Sequence, residues 1–167
     1  MIILRLLHIA LGATWTGFAV FMAFYLSPSL QDVGPDGGKV IAALQRRGLM
    51  TVMPMLAIVT IVSGVWLLYR VSGGFGHDYL LSKAGHVFAM GGLLALIGFI
   101  VGMSVTRPAM LKIGELMQSL GPGTSPEDRE QVMKEVGRLR SRGALGARAL
   151  AVLLLAATAA MAVARYL

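Results

Sequence analysis

The chain has 167 residues, of which 56% are hydrophobic and 14% are charged, and its mean hydropathy is +0.74. An ordinary soluble domain has about 45–50% apolar and about 25% charged residues, so this composition indicates a membrane protein. There is no cysteine, which excludes disulfides, thiolate metal sites and thiol nucleophiles.

Four apolar stretches follow one another along the chain, at about residues 4–27, 49–70, 83–107 and 146–165. A bilayer core about 30 Å thick is crossed by ~20 apolar residues in a helix, which is the length of these stretches. They lack the alternation of polar and apolar residues that marks barrel strands. We therefore predict an all-α, polytopic membrane protein, in which residues 1–167 form a single antiparallel bundle of four transmembrane helices.

The first stretch is longer than the ~7–15 residue core of a signal peptide, so we expect it to be retained. Its helix is predicted to end near Ser27 and Pro28, because proline disfavours helical backbone in the preceding residue. After the turn QDVGPDGG, the segment KVIAALQRRG predicts a short helix at the membrane surface.

The second stretch contains Pro54, which either belongs to the first helical turns or produces a small kink. A short glycine-rich connection around His77 leads to the third stretch. There Gly98 and Gly102 permit close approach of another helix.

A polar segment precedes the fourth stretch and carries a clear helix start. Ser125 is suited to cap the helix, Pro126 fits its first position, and Glu127 and Asp128 favour the positive end of the helix dipole. We predict a cytoplasmic amphipathic helix before the last span.

The positive charges predict how the chain is oriented. Arg5, Arg70, Lys83 and Arg165 fall at one end of the predicted bundle, and the remaining Lys and Arg residues fall at the other. Cytoplasmic segments of membrane proteins are enriched in these residues. The positions indicate the inner (cytoplasmic) membrane of a bacterium, with both termini outside. The charges form no aromatic-interleaved patch, so nucleic acid is not an expected partner.

Two histidines lie at matching depth, about one turn inside the outer ends of the first and third helices. Ionisable residues at membrane depth usually face the bundle interior and mark functional sites. Neutral imidazoles of His8 and His86 are suited to ligate a haem iron or a copper ion. Gly12 and Trp15 share a helical face with His8, and Lys83 is placed to pair with a haem propionate.

Simpler roles are open for the same residues. A histidine near a helix end often bonds a backbone carbonyl, and Lys83 is also placed to extend its ammonium toward the headgroups. His77, in the glycine-rich connection, is expected to be an exposed loop residue. The eleven methionines suggest a Cu(I) relay. However, Met50, Met53 and Met55 cluster at the end away from the histidines, and methionine is an ordinary core filler.

The motif LHIALGATWTG followed by FYLSPSL resembles the first helix of small bacterial membrane proteins of the copper-resistance D-like group, including an uncharacterised four-helix branch. The order of elements resembles that branch over nearly the whole chain. LHIALGATW and LSKAGH are more distantly similar to the membrane-integral protoporphyrinogen oxidases. The latter resemblance implies functional roles for His8 and Lys83, although Ser29 follows Pro28 where that family has a basic residue.

These patterns lead to three expected functions. The first is binding of a b-type haem, or another redox metal, near the outer face, for electron transfer or redox sensing. The second is a non-catalytic accessory or scaffold subunit, forming a homo-oligomer or part of a larger complex in the lipid bilayer, without a cofactor. The third is copper handling. The sequence leaves open whether the protein is an enzyme.

Overall fold

The computed structural model of the protein describes residues 1–34, 37–121 and 123–167. Within these ranges the regular structure is helical. The α-helices are α1 (Ile2–Phe21), α2 (Ser27–Asp32), α3 (Gly37–Arg46), α4 (Leu49–Val71), α5 (His77–Leu81), α6 (Lys83–Val101), α7 (Arg107–Ser119) and α8 (Pro126–Ala164). Two π-helical segments, Met22–Leu26 and Gly102–Thr106, join α1 to α2 and α6 to α7.

Four continuous helical stretches are long and apolar enough to cross a membrane. They are Ile2–Asp32, Leu49–Val71, Lys83–Ser119 and Pro126–Ala164. The four helices predicted from the apolar stretches are therefore confirmed. The short surface helix is also present, as α3.

The prediction that the first helix ends near Ser27 and Pro28 was wrong, because the chain stays helical to Asp32. Proline lacks an N–H, and its ring clashes with the carbonyl four residues earlier in an α-helix. The π-helical segment Met22–Leu26 ends two residues before Pro28, and Gly102–Thr106 ends two residues before Pro108. A π-helical turn inserts an extra residue, which lets the helix continue past the ring.

Hydroxyl groups satisfy backbone carbonyls around these π-helical segments. Ser29 Oγ donates to the Tyr25 carbonyl oxygen at 2.8 Å, and Ser104 Oγ donates to the Ile100 carbonyl oxygen at 2.7 Å. Such bonds matter where water is excluded, since an unpaired carbonyl in hydrocarbon costs several kcal/mol, by order of magnitude.

The amphipathic helix predicted before the last span is present, but it is not separate. Both belong to the 39-residue helix α8. Its predicted start is confirmed, because the Ser125 side chain accepts a hydrogen bond from the Asp128 backbone N–H at 3.0 Å. Gly143 within this helix is buried, and a Cβ there would lie 3.4 Å from Ala109 Cβ, so α7 packs closely on the helix at this point.

Packing among the four long helical stretches follows a ring. α1 contacts α4 and α8, and α6 contacts α8 and α4. The core consists mainly of small side chains with one tryptophan; its buried members are Trp15, Ala19, Ala23, Ala57, Ala151 and Leu154. Small side chains let helix backbones approach closely, and this close packing drives helix association in lipid.

Glycines mark the contact of α6 and its continuation with α8. A Cβ at Gly91 would meet Met161 and Ala157, and one at Gly98 would meet Leu150 and Leu154. Farther along, a Cβ at Gly146 of α8 would lie 2.8 Å from the Thr106 hydroxyl oxygen. Positions later in the α6 stretch thus meet positions earlier in α8.

Replacing Gly91 by leucine is expected to destabilise the protein. A Cβ at this position would lie 2.9 Å from Met161 Cγ and 3.2 Å from the Ala157 carbonyl oxygen. Overpacking of this kind costs about 1–3 kcal/mol. Thermal unfolding of the purified protein in detergent measures the loss. Gly92→Leu is the matched control, because a Cβ at Gly92 meets nothing within 4 Å. Equal destabilisation by both substitutions would contradict the close α6–α8 contact.

Candidate functional site

His8 points from α1 onto α4 and is partly buried there. Its Nδ1 lies 2.9 Å from the Thr60 carbonyl oxygen and 3.2 Å from Ser63 Oγ. A carbonyl oxygen only accepts, so Nδ1 carries the proton and donates. In the neutral ring, Nε2 then keeps a free lone pair, which is the tautomer of a histidine that binds a metal through Nε2.

Glycines on both helices make room for the His8 ring. A Cβ at Gly64 would lie 2.7 Å from His8 Cε1, and a Cβ at Gly12 would lie 3.3 Å from Thr60 Cγ2. The Thr60 hydroxyl oxygen is buried and has no hydrogen-bond partner in the part of the chain that the structure describes. A polar pocket therefore lies between α1 and α4, within the apolar part of both helices.

Trp15 lies on the inner face of α1, as predicted from its spacing to His8, and is only 5% exposed. It belongs to the hydrophobic core and to the wall of a large cavity on the side away from the α1 N-terminus.

His86 has surroundings of its own. It is exposed on α6, and its Nδ1 lies 3.1 Å from the carbonyl oxygen of Ser82 at the start of the same helix. Lys83 is also exposed. The hydrogen bond of His8 goes to α4, and that of His86 goes to the start of its own helix. Cofactor binding by these residues stays a prediction.

His77 is exposed at the start of the five-residue helix α5, as expected for a residue of the outer connection. No group of three or more His, Asp or Glu side chains suited to hold a metal ion occurs within residues 1–34, 37–121 and 123–167.

A large cavity lies at the opposite end of the helices and has a volume of about 520 Å³. This volume is within the ~300–1,000 Å³ range of ligand pockets. Its walls come from the end of α1, from α2 and α3, from the start of α4, and from the region where α6 continues into α7 against α8. Six of the eleven methionines line it: Met22, Met50, Met53, Met103, Met110 and Met117.

The cavity wall has distinct apolar and polar ends. Trp15, Ala57, Phe99 and Leu150 lie toward the middle of their helices and form the apolar end. Three cationic residues, Lys39, Arg107 and Arg140, lie at the polar end, toward the cytoplasmic side predicted from the charges. The described residues of the wall include no Asp or Glu.

Arg107 stands at the junction of the π-helical segment with α7. Its Nε atom is buried and has no hydrogen-bond partner among the described residues, and the same is true of the neighbouring Thr106 hydroxyl oxygen. An unpartnered buried donor costs about 1–3 kcal/mol, and a charged one costs more. The Arg107 side chain as a whole is partly exposed and lines the cavity, so the rest of its guanidinium is able to meet an acceptor from outside the chain.

α3 closes the cavity from the side. Gln45 Nε2 donates a long hydrogen bond of 3.5 Å to the Met110 carbonyl oxygen. A Cβ at Gly114 would lie 3.4 Å from Gln45 Oε1, so α3 and α7 are in contact at this point. The surface helix predicted from KVIAALQRRG thereby becomes part of a binding-site wall.

Sequence reasoning treated Arg107 only as a topological charge and did not find the cavity. Two signals pointed to it. Met50 and Met53 were seen to cluster away from the histidines, and Arg107 is followed directly by Pro108 inside a helical stretch. Neither signal shows by itself that four helices leave a space between them.

Compared with models of known protein families, with curated proteins and with solved structures, the chain shows no significant match. The resemblances noted in its sequence therefore stay predictions, and functional inference rests on the geometry.

Replacing Gly64 by alanine is expected to displace the His8 ring, because the new Cβ would lie 2.7 Å from Cε1. The hydrogen bond to the Thr60 carbonyl would be lost, at a cost of about 1 kcal/mol. A changed NMR resonance of the His8 ring, together with a lower unfolding temperature, checks this expectation. Gly17→Ala is the control on α1, since a Cβ there meets nothing within 4 Å. An unchanged His8 resonance in Gly64→Ala would contradict the described contact.

Proposed function

We propose that the protein is an antiparallel four-helix bundle in a bacterial inner membrane, and that it binds a membrane-soluble small molecule in the methionine-lined cavity. Membrane insertion is supported by the four long apolar helical stretches. It is also supported by large apolar side chains that stand exposed along them, among them Val62 (58%), Leu93 (56%) and Val152 (56%). Exposed apolar surface of this extent is suited to lipid.

The antiparallel arrangement is supported by the order of contacts. His8 of α1 meets Ser63 of α4, whereas Gly12 meets Thr60. The α6 stretch and α8 show the same opposite order. With both termini outside, the cavity lies in the cytoplasmic half of the membrane, where the excess of Lys and Arg is expected.

The cavity is the single observation that carries the proposed function. Membrane bundles build ligand sites between facing helices, and methionine side chains adapt to varied apolar shapes. A dry cavity of this size would forfeit van der Waals contacts on all its walls. Because lipid surrounds the bundle, an apolar molecule that enters from the bilayer restores those contacts.

Fluorescence of Trp15 tests the proposal, since the chain has only two tryptophans and Trp66 is exposed. In the Trp66→Phe protein, Trp15 is the single remaining tryptophan of the sequence, and it lies in the cavity wall. A brominated fatty acid, 9,10-dibromostearate, is expected to quench this fluorescence saturably at a low mole fraction in detergent. Ala144→Phe, which fills part of the cavity, is expected to weaken the quenching at least several-fold.

Ala149→Phe is the matched control for this measurement. Ala149 is exposed on the same helix and does not line the cavity, so quenching of Trp15 should persist. Quenching that rises linearly with bromolipid without saturation, or that Ala144→Phe leaves unchanged, would contradict an occupied cavity.

A redox centre at His8 is a second candidate function, favoured by the orientation of the ring. Its Nδ1 donates to the Thr60 carbonyl oxygen, as the second nitrogen of metal-binding histidines commonly does. His86 Nδ1 likewise lies 3.1 Å from a carbonyl oxygen, that of Ser82, so its Nε2 is oriented in the same way. The candidate keeps His8 and His86 as the ligands, with haem b or copper as the group.

An absorbance spectrum and metal analysis of the purified protein test this second candidate. A Soret band or a stoichiometric copper content is expected, and His8→Ala should abolish either signal. His77→Ala is the control, since His77 is exposed outside the four long stretches. A colourless preparation without bound metal would remove the candidate and leave the cavity proposal untouched.

A further inference from the structure

We propose that the cavity selects a single-chain anionic amphiphile, with the chemistry of a long-chain fatty acid, and that Arg107 binds its carboxylate. This inference rests on the proposed function, because it names the class of ligand for the same cavity. Four features of the wall carry it.

The first feature is charge. The charged residues among the described parts of the wall are Lys39, Arg107 and Arg140, and all three are cationic. Two carboxylates on the neighbouring helices are engaged elsewhere: Glu115 pairs with Lys112 at 3.0 Å, and Glu135 pairs with Arg138 at 2.7 Å. Both pairs are exposed, and none of the four residues belongs to the cavity wall. Arg107 and Arg140 therefore favour a ligand that carries negative charge.

The second feature is the unpaired donor. Arg107 Nε is buried without a partner in the described structure, and Thr106 beside it has an equally unpartnered hydroxyl. A guanidinium presents donors in a planar fork that matches a carboxylate in two-point contact. The Arg107 side chain as a whole is partly exposed and lines the cavity, so a carboxylate there would meet the accessible part of this fork.

The third feature is that the cavity is cationic at one end and apolar at the other. From the cationic end, the space continues between methionines toward Trp15 and Phe99, where the wall is apolar. An amphiphile with its head at Arg107 thus lays its chain along the helices, as a lipid lies in a leaflet. A ligand polar over its whole length would leave its polar groups unpaired at the apolar end.

The fourth feature is size. A volume of about 520 Å³ suits a ligand of drug-like dimensions. One acyl chain and its headgroup are of that class, whereas a phospholipid with two chains is considerably larger. The geometry thus favours an acid with one chain over a membrane phospholipid.

Headgroup selectivity is tested in the Trp66→Phe protein with three brominated probes. They are 9,10-dibromostearate, its uncharged methyl ester, and phosphatidylglycerol that carries dibrominated chains. The acid is expected to quench Trp15 at about tenfold lower concentration than the ester, the gain typical of a hydrogen bond to a charged group. The phospholipid is expected to be weaker than the acid. This comparison needs no substitution near Arg107.

Substitution of Arg107 then tests whether this residue causes the preference for the acid over the ester. Arg107→Gln should raise the half-quenching concentration of the acid about tenfold and leave that of the ester unchanged. Arg107→Lys, which keeps the charge without the planar fork, should recover part of the preference for the acid. Arg142→Gln is the control, because it removes an equal charge from an exposed residue outside the cavity.

The outcomes separate this inference from the proposed function. If acid and ester quench wild-type Trp15 equally, the headgroup assignment is wrong while the cavity remains a ligand site. If phosphatidylglycerol binds more tightly than the acid, the single-chain ligand is wrong. If Arg107→Gln weakens quenching by the acid and by the ester alike, Arg107 stabilises the fold and does not bind the carboxylate. If no probe quenches saturably, the proposed function itself fails.

Discussion

Close packing of small residues along α8 is the constraint on which the other features depend. This helix touches α1, α6 and α7, and its contact face consists largely of buried glycine and alanine, including Gly143, Gly146, Ala151 and Ala157. In lipid the hydrophobic effect does not drive helices together, so association relies on the short distances that small residues allow. The cavity reaches this helix at Gly143, Ala144 and Ala147.

The two π-helical segments connect this packing to the site. Without an inserted residue, Pro28 and Pro108 would interrupt the first and third helical stretches at the end of the core. Instead both stretches continue and supply walls of the cavity through α2 and α7. Arg107 lies directly after the second segment, so the backbone adjustment that accommodates proline also positions the Arg107 side chain at the cavity. Local irregularity of this kind is common at functional sites in helices.

Much of the fold could be predicted from the sequence, because lengths and charges of apolar stretches reflect the bilayer directly. The start of α8 at Ser125 and Pro126 followed from capping chemistry alone. Continuation past Pro28 could not be predicted, since the rule for proline describes an α-helix and not the π-helical alternative. His8 was identified as an inward residue, but its partners Thr60 and Ser63 are 52 and 55 positions away and depend on helix register. The cavity depends on how four helical stretches pack against one another, so no local sequence pattern predicts it.

The unbroken course of α8 has a structural consequence. A helix of 39 residues is about 58 Å long, nearly twice the ~30 Å of a hydrocarbon core. The helix is therefore much longer than a hydrocarbon core is thick, from its cap at Ser125 to its C-terminal end. It carries Leu139 and Arg140 of the cavity wall and Leu154 of the core without a break between them. One continuous helix thus joins the capped end, the cavity wall and the core.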